Sequence, residues 1–217
     1  MTRAIISFDT ELSAGLYQKG ADARANFESS ILGRCRDGDF GIHCQMDMLE
    51  RHGLTGVFFI DPMPALVYGP KVIDAIVRPV VERGHEVQVH IHTEWLAFAR
   101  FNPVGRLTGR NIGDFPLAAQ KKLIALARDI LVGAGAPKPT AFRAGNFGAN
   151  DDTLRALAML GFRFDSSFNG AYLGRGCNIS LDARNLGMRE HHGVVEVPVS
   201  GLRSEEHTSE LQSPMYL

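Results

Sequence analysis

The chain has little of what staple-dependent, membrane-spanning or polyanion-binding proteins need. Only three of its 217 residues are cysteines, Cys35, Cys44 and Cys177, an odd number at wide spacing. They form neither a disulfide framework nor a CxxC metal pattern, so they read as free thiols in a reduced compartment. No apolar run approaches the roughly 20 residues that cross a bilayer, which excludes a membrane span. An excess of one charge is also missing, with 23 lysines and arginines against 24 acids and a formal net charge of -1. Nucleic acid is therefore not an expected partner, since no stretch carries the cationic surplus of a phosphate binder. Nor is there room for a hydrophobic leader, because Met1 to Ser7 runs directly into acidic residues. Read literally, the chain starts in the cytoplasm.

What is present is ordinary for a globular protein, 45% hydrophobic and 22% charged, and the length suits one α/β domain. Ala4 to Phe8 predicts a first buried strand ending at charged residues. A long loop follows over Ala14 to Gly38, with a short helix expected near Phe27 to Leu32. Helical spacing then predicts Ile42 to Arg51 and Val72 to Glu82, stopped by Gly53 and Gly84. VFFI (Val57 to Ile60) and EVQVHIH (Glu86 to His92) read as the second and third strands. Further on, helices are expected at Leu117 to Val132 and Asp151 to Leu160, the latter with Asn150 or Asp151 as N-cap. Thr140 to Arg143, Phe162 to Asp165 and Val194 to Val199 read as strands, and His191 and His192 as a turn before the last of them. Strands alternating with helices argue for a parallel α/β sheet or barrel, in which functional groups collect at the carboxyl ends of strands.

The tail breaks this pattern. Arg203 to Leu217 includes RSEEHTSELQS, which is polar and aperiodic and resembles a translated sequencing adapter. The domain is accordingly read as residues 1–202, with 203–217 excluded from fold reasoning, and the chain is expected to be a C-terminally truncated fragment.

Chemically useful residues fall where an α/β fold would use them. Asp9 and Glu11 follow the first strand, and His90, His92 and Glu94 fall at the end of the third. Arg143 ends the fourth and Asp165 the fifth. Period-two alternation turns Asp9 and Glu11 to one side, and likewise His90, His92 and Glu94. Carboxylates and imidazoles can thus meet in a mixed oxygen and nitrogen set that suits a divalent metal such as zinc, with a further carboxylate beside it as base. Taken singly, each of these residues has an ordinary reading as a loop carboxylate, a helix cap or a packed histidine; their coincidence at neighbouring strand ends favours a site.

The ordered set SFDTE (Ser7 to Glu11), GVFFI (Gly56 to Ile60), GHEVQVHIHTEW (Gly84 to Trp95), FRAGNFG (Phe142 to Gly148) and FDSS (Phe164 to Ser167) resembles the polysaccharide deacetylase, or NodB-homology, family, most of all its WalW-type group. The resemblance implies an incomplete (β/α) barrel and metal-dependent removal of acetyl groups from carbohydrate, a C–N, non-peptide hydrolysis. It implies Asp9 as general base, with Arg143 orienting it, and Glu11 in the place of the metal-binding acid. The family's usual adjacent aspartates are here separated by Thr10. His90 matches the first histidine of an H-x-x-x-H pair whose second position is Glu94, with His92 between them, so His92 is favoured over Glu94 as the next ligand. The histidine that serves the family as general acid would lie beyond Val199, and His207 belongs to the tail.

Other signals carry less. Trp95 could stack on a sugar or simply pack, and Arg100, Arg106 and Arg110 form either a surface for acidic sugars or a solvated loop face. Cys177 has no recognisable histidine partner and reads as a small buried hydrophobe. Gly145 and Gly148 fit neither GxGxxG nor GxxxxGK, against nucleotide binding. Two alternatives to the carbohydrate deacetylase stay open at this point: a metal-dependent amidase acting on a small non-sugar substrate, and a catalytically idle carbohydrate-binding domain.

Overall fold

The computed structural model describes residues 4–182, 184 and 187–199; the proposed foreign tail, with His207, falls outside them. Strand β1 (Ser7–Thr10) leads into two helices, α1 (Ala14–Gln18) and α2 (Ala23–Ser30), and a small hairpin of β2 (Arg34–Cys35) and β3 (Gly38–Asp39). Regular alternation follows. Its elements are α3 (Ile42–Arg51), β4 (Val57–Ile60), α4 (Ala65–Tyr68), α5 (Lys71–Glu82), β5 (Glu86–Ile91), α6 (Leu117–Gly133), β6 (Ala141–Ala144), α7 (Asp151–Met159) and β7 (Phe164–Asp165). A second hairpin, β8 (Arg189–His191) and β9 (Val194–Glu196), is the last structure described.

Seven strands form the main sheet in the order β1-β4-β5-β6-β7-β9-β8. Every pairing is parallel except β8 with β9. Parallel strands need crossovers, and helices supply them between β4, β5, β6 and β7. Among the described residues the sheet leaves β1 and β8 as edges, an α/β arrangement consistent with an incomplete (β/α) barrel.

Local chemistry explains the elements. VFFI is almost wholly apolar because β4 lies inside a parallel sheet covered on both faces, and Phe58 and Ile60 are fully buried. Ile73, Ile76, Val77 and Val80 form one i, i+3, i+4, i+7 stripe on α5, all buried against the sheet. Truncating one of them, Ile76→Ala for example, removes packing worth about 2–5 kcal/mol. Helix α7 starts at a reciprocal cap in which the Asn150 side chain accepts from Thr153 N at 3.0 Å and Asn150 N donates to Thr153 Oγ1 at 3.1 Å. Gly53 and Gly161 end α3 and α7 at φ 63° and 77°, in the left-handed region where glycine avoids a Cβ penalty. None of the described helices is long and apolar enough to cross a membrane.

Several boundaries differ from expectation. The first strand is not Ala4 to Phe8 but Ser7–Thr10, because its register follows β4, from Ser7 opposite Val57 to Thr10 opposite Ile60. Asp9 therefore lies inside a strand rather than after it, while Ile5 stays exposed. The short helix starts four residues earlier than expected, at Ala23, where Asp22 caps it by accepting from Ala25 N at 2.8 Å. His191 belongs to β8, and only His192 occupies the turn.

Candidate active site

Arg143 is the hub. It lies on β6 and is 7% exposed, with its guanidinium stacked 4.1 Å from the centroid of Phe59 on β4. From there Nη1 donates to Asp9 Oδ1 at 2.6 Å, across two intervening strands. Nη2 donates to Ser7 Oγ at 2.9 Å and Ser166 Oγ at 3.1 Å, and Nε to the Ser166 carbonyl at 3.1 Å. Four donors held at once leave the guanidinium little freedom, so Asp9 is presented in one orientation.

The same residue also sets an imidazole. Its carbonyl lies 2.8 Å from His90 Nδ1, and a carbonyl can only accept, so Nδ1 carries a proton and Nε2 is the nitrogen left for a cation once its own proton has gone. That Nε2 faces Glu11 Oε2 at 3.0 Å. His92, the next residue on the same side, brings its Nε2 to 2.5 Å from the same oxygen. The two rings stand edge to face with centroids 5.0 Å apart. Glu11 Oε2 and both Nε2 atoms can thus meet around one point, each within 4.8 Å of the others.

Glu94 takes a different position. Its Oε2 lies 3.2 Å from His92 Nδ1, on the far side of the ring, and its Oε1 accepts from Asn146 Nδ2 at 2.9 Å. It orients His92 as the Arg143 carbonyl orients His90. Asn146 and Phe147 both adopt left-handed backbone, φ 56° and 53°, a costly pair for residues with side chains. Gly145 before them is required by space, because a Cβ there would lie 2.6 Å from the Ile91 carbonyl and 2.8 Å from the His92 ring. The FRAGN segment is shaped around the imidazoles.

Electrostatics follow from this contact set. Burial alone would push the Glu11 carboxyl up, but hydrogen bonds and charge from His90 and His92 outweigh it and hold it far below the usual range. The imidazoles respond in the opposite sense. Burial disfavours their charged forms, yet Asp9 and Glu11 raise His90, and Glu11 and Glu94 raise His92 further. Glu94 is lowered by His92 and Asn146 against its own burial.

Two acids were not singled out from the sequence. Asp61, one residue past β4, is fully buried; its Oδ1 accepts from Met63 N at 3.0 Å, and Oδ2 has no protein partner. Burial pushes it up to about 7, opposed by the nearby His92 and His90. The criterion that flagged Asp9 and Glu11, an acid at the end of a parallel strand, also applies to IDPMP. Glu196 is the second. It faces Asp165 across β7 and β9, both fully buried, with Glu196 accepting from Phe168 N at 3.0 Å and Asp165 from Ser167 Oγ at 2.7 Å. Burial raises both carboxyls, and Asp165 raises Glu196 further while hydrogen bonds from Glu196 and Ser167 hold Asp165 back, so the pair retains a proton at neutral pH.

The remaining signals resolve as packing or solvent. Trp95 is fully buried among Tyr17, Tyr68 and Phe98, so it packs and does not stack on a sugar. Arg100, Arg106 and Arg110 are exposed. Cys177 is buried, which pushes its thiol up and away from reactivity.

The donor chemistry fits a divalent cation. Two imidazoles turn their Nε2 atoms toward one carboxylate oxygen, each ring fixed by a partner on its other nitrogen, and a buried acid with a free oxygen stands nearby.

Comparison with solved structures places the fold. A candidate polysaccharide deacetylase from Mycobacterium smegmatis superposes with a TM-score of 0.56 at 17% identity, over 90% of this chain and 58% of that one. A 4-alpha-glucanotransferase from Thermococcus litoralis matches with a TM-score of 0.54 at 13% identity, over 90% of this chain and 27% of that one. A family 4 carbohydrate esterase from Streptomyces lividans, solved with acetate, gives 0.44 at 16% identity, over 79% and 66% of the two chains. The chain thus spans little more than half the length of the first of these. No protein-family model and no curated protein matches it. The class defined is a mixed α/β fold of the incomplete (β/α) barrel type, shared with the candidate polysaccharide deacetylase and the glucanotransferase.

Proposed function

We propose that the protein is a metal-dependent hydrolase that removes acetyl groups from a carbohydrate. One observation carries the reading: Glu11 and two imidazoles of fixed orientation converge beside Asp9, itself held by the Arg143 that also fixes His90. Similarity of fold to a candidate polysaccharide deacetylase supports the choice of substrate class.

Glu11, His90 and His92 would hold the cation, zinc by donor type, leaving a position open as catalytic sites of three protein ligands do. When bound, it would polarise the acetyl carbonyl and lower the pKa of water. Asp9 is the base. With Oδ1 engaged by Arg143, its Oδ2 remains to take the proton as water attacks, a role worth typically 10²- to 10⁴-fold. Arg143 keeps Asp9 aimed, and Glu94 keeps His92 Nε2 turned inward.

The test is acetate release from N-acetylated sugar oligomers and O-acetylated polysaccharides by zinc-loaded protein, compared with simple amides. Release from the carbohydrates that disappears in Glu11→Ala and His90→Ala supports the reading. A folded, zinc-loaded protein that releases no acetate from any of them would refute it.

A further inference from the structure

A second group of ligand-type side chains lies outside this site and shares no residue with it. Asp151 opens α7, and its carboxylate is met by a hairpin from forty residues further along the chain. His191 Nε2 lies 3.4 Å from Asp151 Oδ1, and His192 Nε2 lies 3.2 Å from Oδ2. All three ligand atoms fall within 4.8 Å of one another. Ser180 Oγ joins them, 2.6 Å from Asp151 Oδ2 and 3.3 Å from His191 Nε2.

Neighbouring residues of a strand point to opposite faces, so His191 and His192 should not reach one carboxylate. They do because His192 adopts φ 49°, left-handed backbone that a residue with a side chain enters at a cost. The turn folds the second ring back beside the first, with centroids 4.2 Å apart and planes at 45°. Glycine would be the economical choice at that position, and Gly193 follows immediately. Positive φ at both His192 and Gly193 is what a two-residue hairpin turn uses, and here that turn also gathers two imidazoles onto one carboxylate, a set able to hold a cation in common.

Their chemistry defines it. Two nitrogens and a carboxylate oxygen suit a borderline cation of the zinc type, whereas magnesium and calcium prefer all-oxygen sets. A cationic neighbour among the described residues is movable: Arg155 Nη2 stands 3.4 Å from His192 Nε2, but its side chain is 44% exposed and is otherwise tied to Asp152 by Nη1 at 2.6 Å.

We propose that Asp151, His191 and His192 form a second zinc-type site, with Ser180 or water completing it, which pins the β8–β9 hairpin to the start of α7. The ion would add to the pairing of β9 with β7 and the burial of Val194, which already hold the hairpin on the sheet. It would stabilise them by mass action, since the unfolded chain lacks the preformed site.

Zinc content after equilibrium dialysis, measured on the whole chain, tests the proposal. Glu11→Ala/His90→Ala removes the first site, and one zinc per chain should remain, with a zinc-dependent rise in Tm. Adding His191→Ala/His192→Ala should abolish both. His192→Gly is the safer variant, because glycine accepts the φ of 49° without strain. It should keep or raise the Tm of the zinc-free protein while weakening zinc binding at least tenfold. A folded Glu11→Ala/His90→Ala protein that binds no zinc overturns the proposal, and so does residual zinc that His192→Gly leaves unchanged.

Discussion

Two groups of acids on one sheet behave in opposite ways. At β1 and β5, Glu11 is driven down by two imidazoles while Asp9 is clamped by a guanidinium. At β7 and β9, Asp165 and Glu196 are driven up by burial, and Glu196 further by Asp165. The residue types are the same, and the difference is the partner. Carboxylates beside nitrogen groups stay charged and available to a cation or a proton, whereas two carboxylates facing each other in a dry interior must share a proton. Arg143 stands between the groups, holding Asp9 with one nitrogen and the Ser166 carbonyl, next to Asp165, with another.

The comparison can be broken most severely at its charged end. Glu11→Ala or His90→Ala should eliminate both cation binding at that site and acetate release, as metal analysis and a coupled acetate assay will show. Asp9→Asn should retain the cation yet lose 10²- to 10⁴-fold in kcat; unchanged kcat would remove Asp9 as base. A smaller effect is expected for Glu94→Gln, about 10- to 100-fold in metal affinity, because only the orientation of His92 is loosened.

Proton competition sharpens the same contrast. His90 and His92 are raised above the ordinary histidine value of 6.5 in the metal-free protein, so the protons must leave before Nε2 can bind a cation. Apparent zinc affinity should therefore climb with pH through and above 6.5, and an affinity flat from pH 6 to 8 would contradict the geometry.

At the protonated end the effect is on stability and has a defined sign. Glu196 has a folded pKa above its ordinary 4.5, so its favourable contribution is complete below about pH 4.5 and is lost as pH rises toward the folded value. Glu196→Gln, which keeps the shape without the charge, should gain about 1–2 kcal/mol over the parent at pH 8 and nothing at pH 4. Denaturant unfolding at the two pH values measures this, and an equal gap at both would mean that the pair is not protonated as described.

Much of this architecture was legible in the sequence. The stripe of α5 and the VFFI strand follow from periodicity and composition, which are local. The convergence of Asp9, Glu11, His90, His92 and Arg143 was foreseen from their places at strand ends. What escaped depends on non-local register. Glu196 looks like an ordinary strand-end acid until β9 pairs with β7 and sets it opposite Asp165. Glu94 looked like a ligand alternative because extended alternation was carried past Ile91, where the chain turns into a short helical segment at Thr93–Ala97 and swings that carboxylate behind His92. Trp95 lies in that same segment, and its burial depends on Tyr17 and Tyr68 from elements remote in sequence.

The central claim is that Glu11, His90 and His92 hold the cation that hydrolysis uses. The most direct measurement is acetate release against bound zinc in the His191→Ala/His192→Ala background, where only that site remains. Activity should rise in proportion to occupancy, saturate at one zinc per chain, and vanish with the zinc in Glu11→Ala. Acetate release that persists in zinc-free protein, or in Glu11→Ala, would contradict the account.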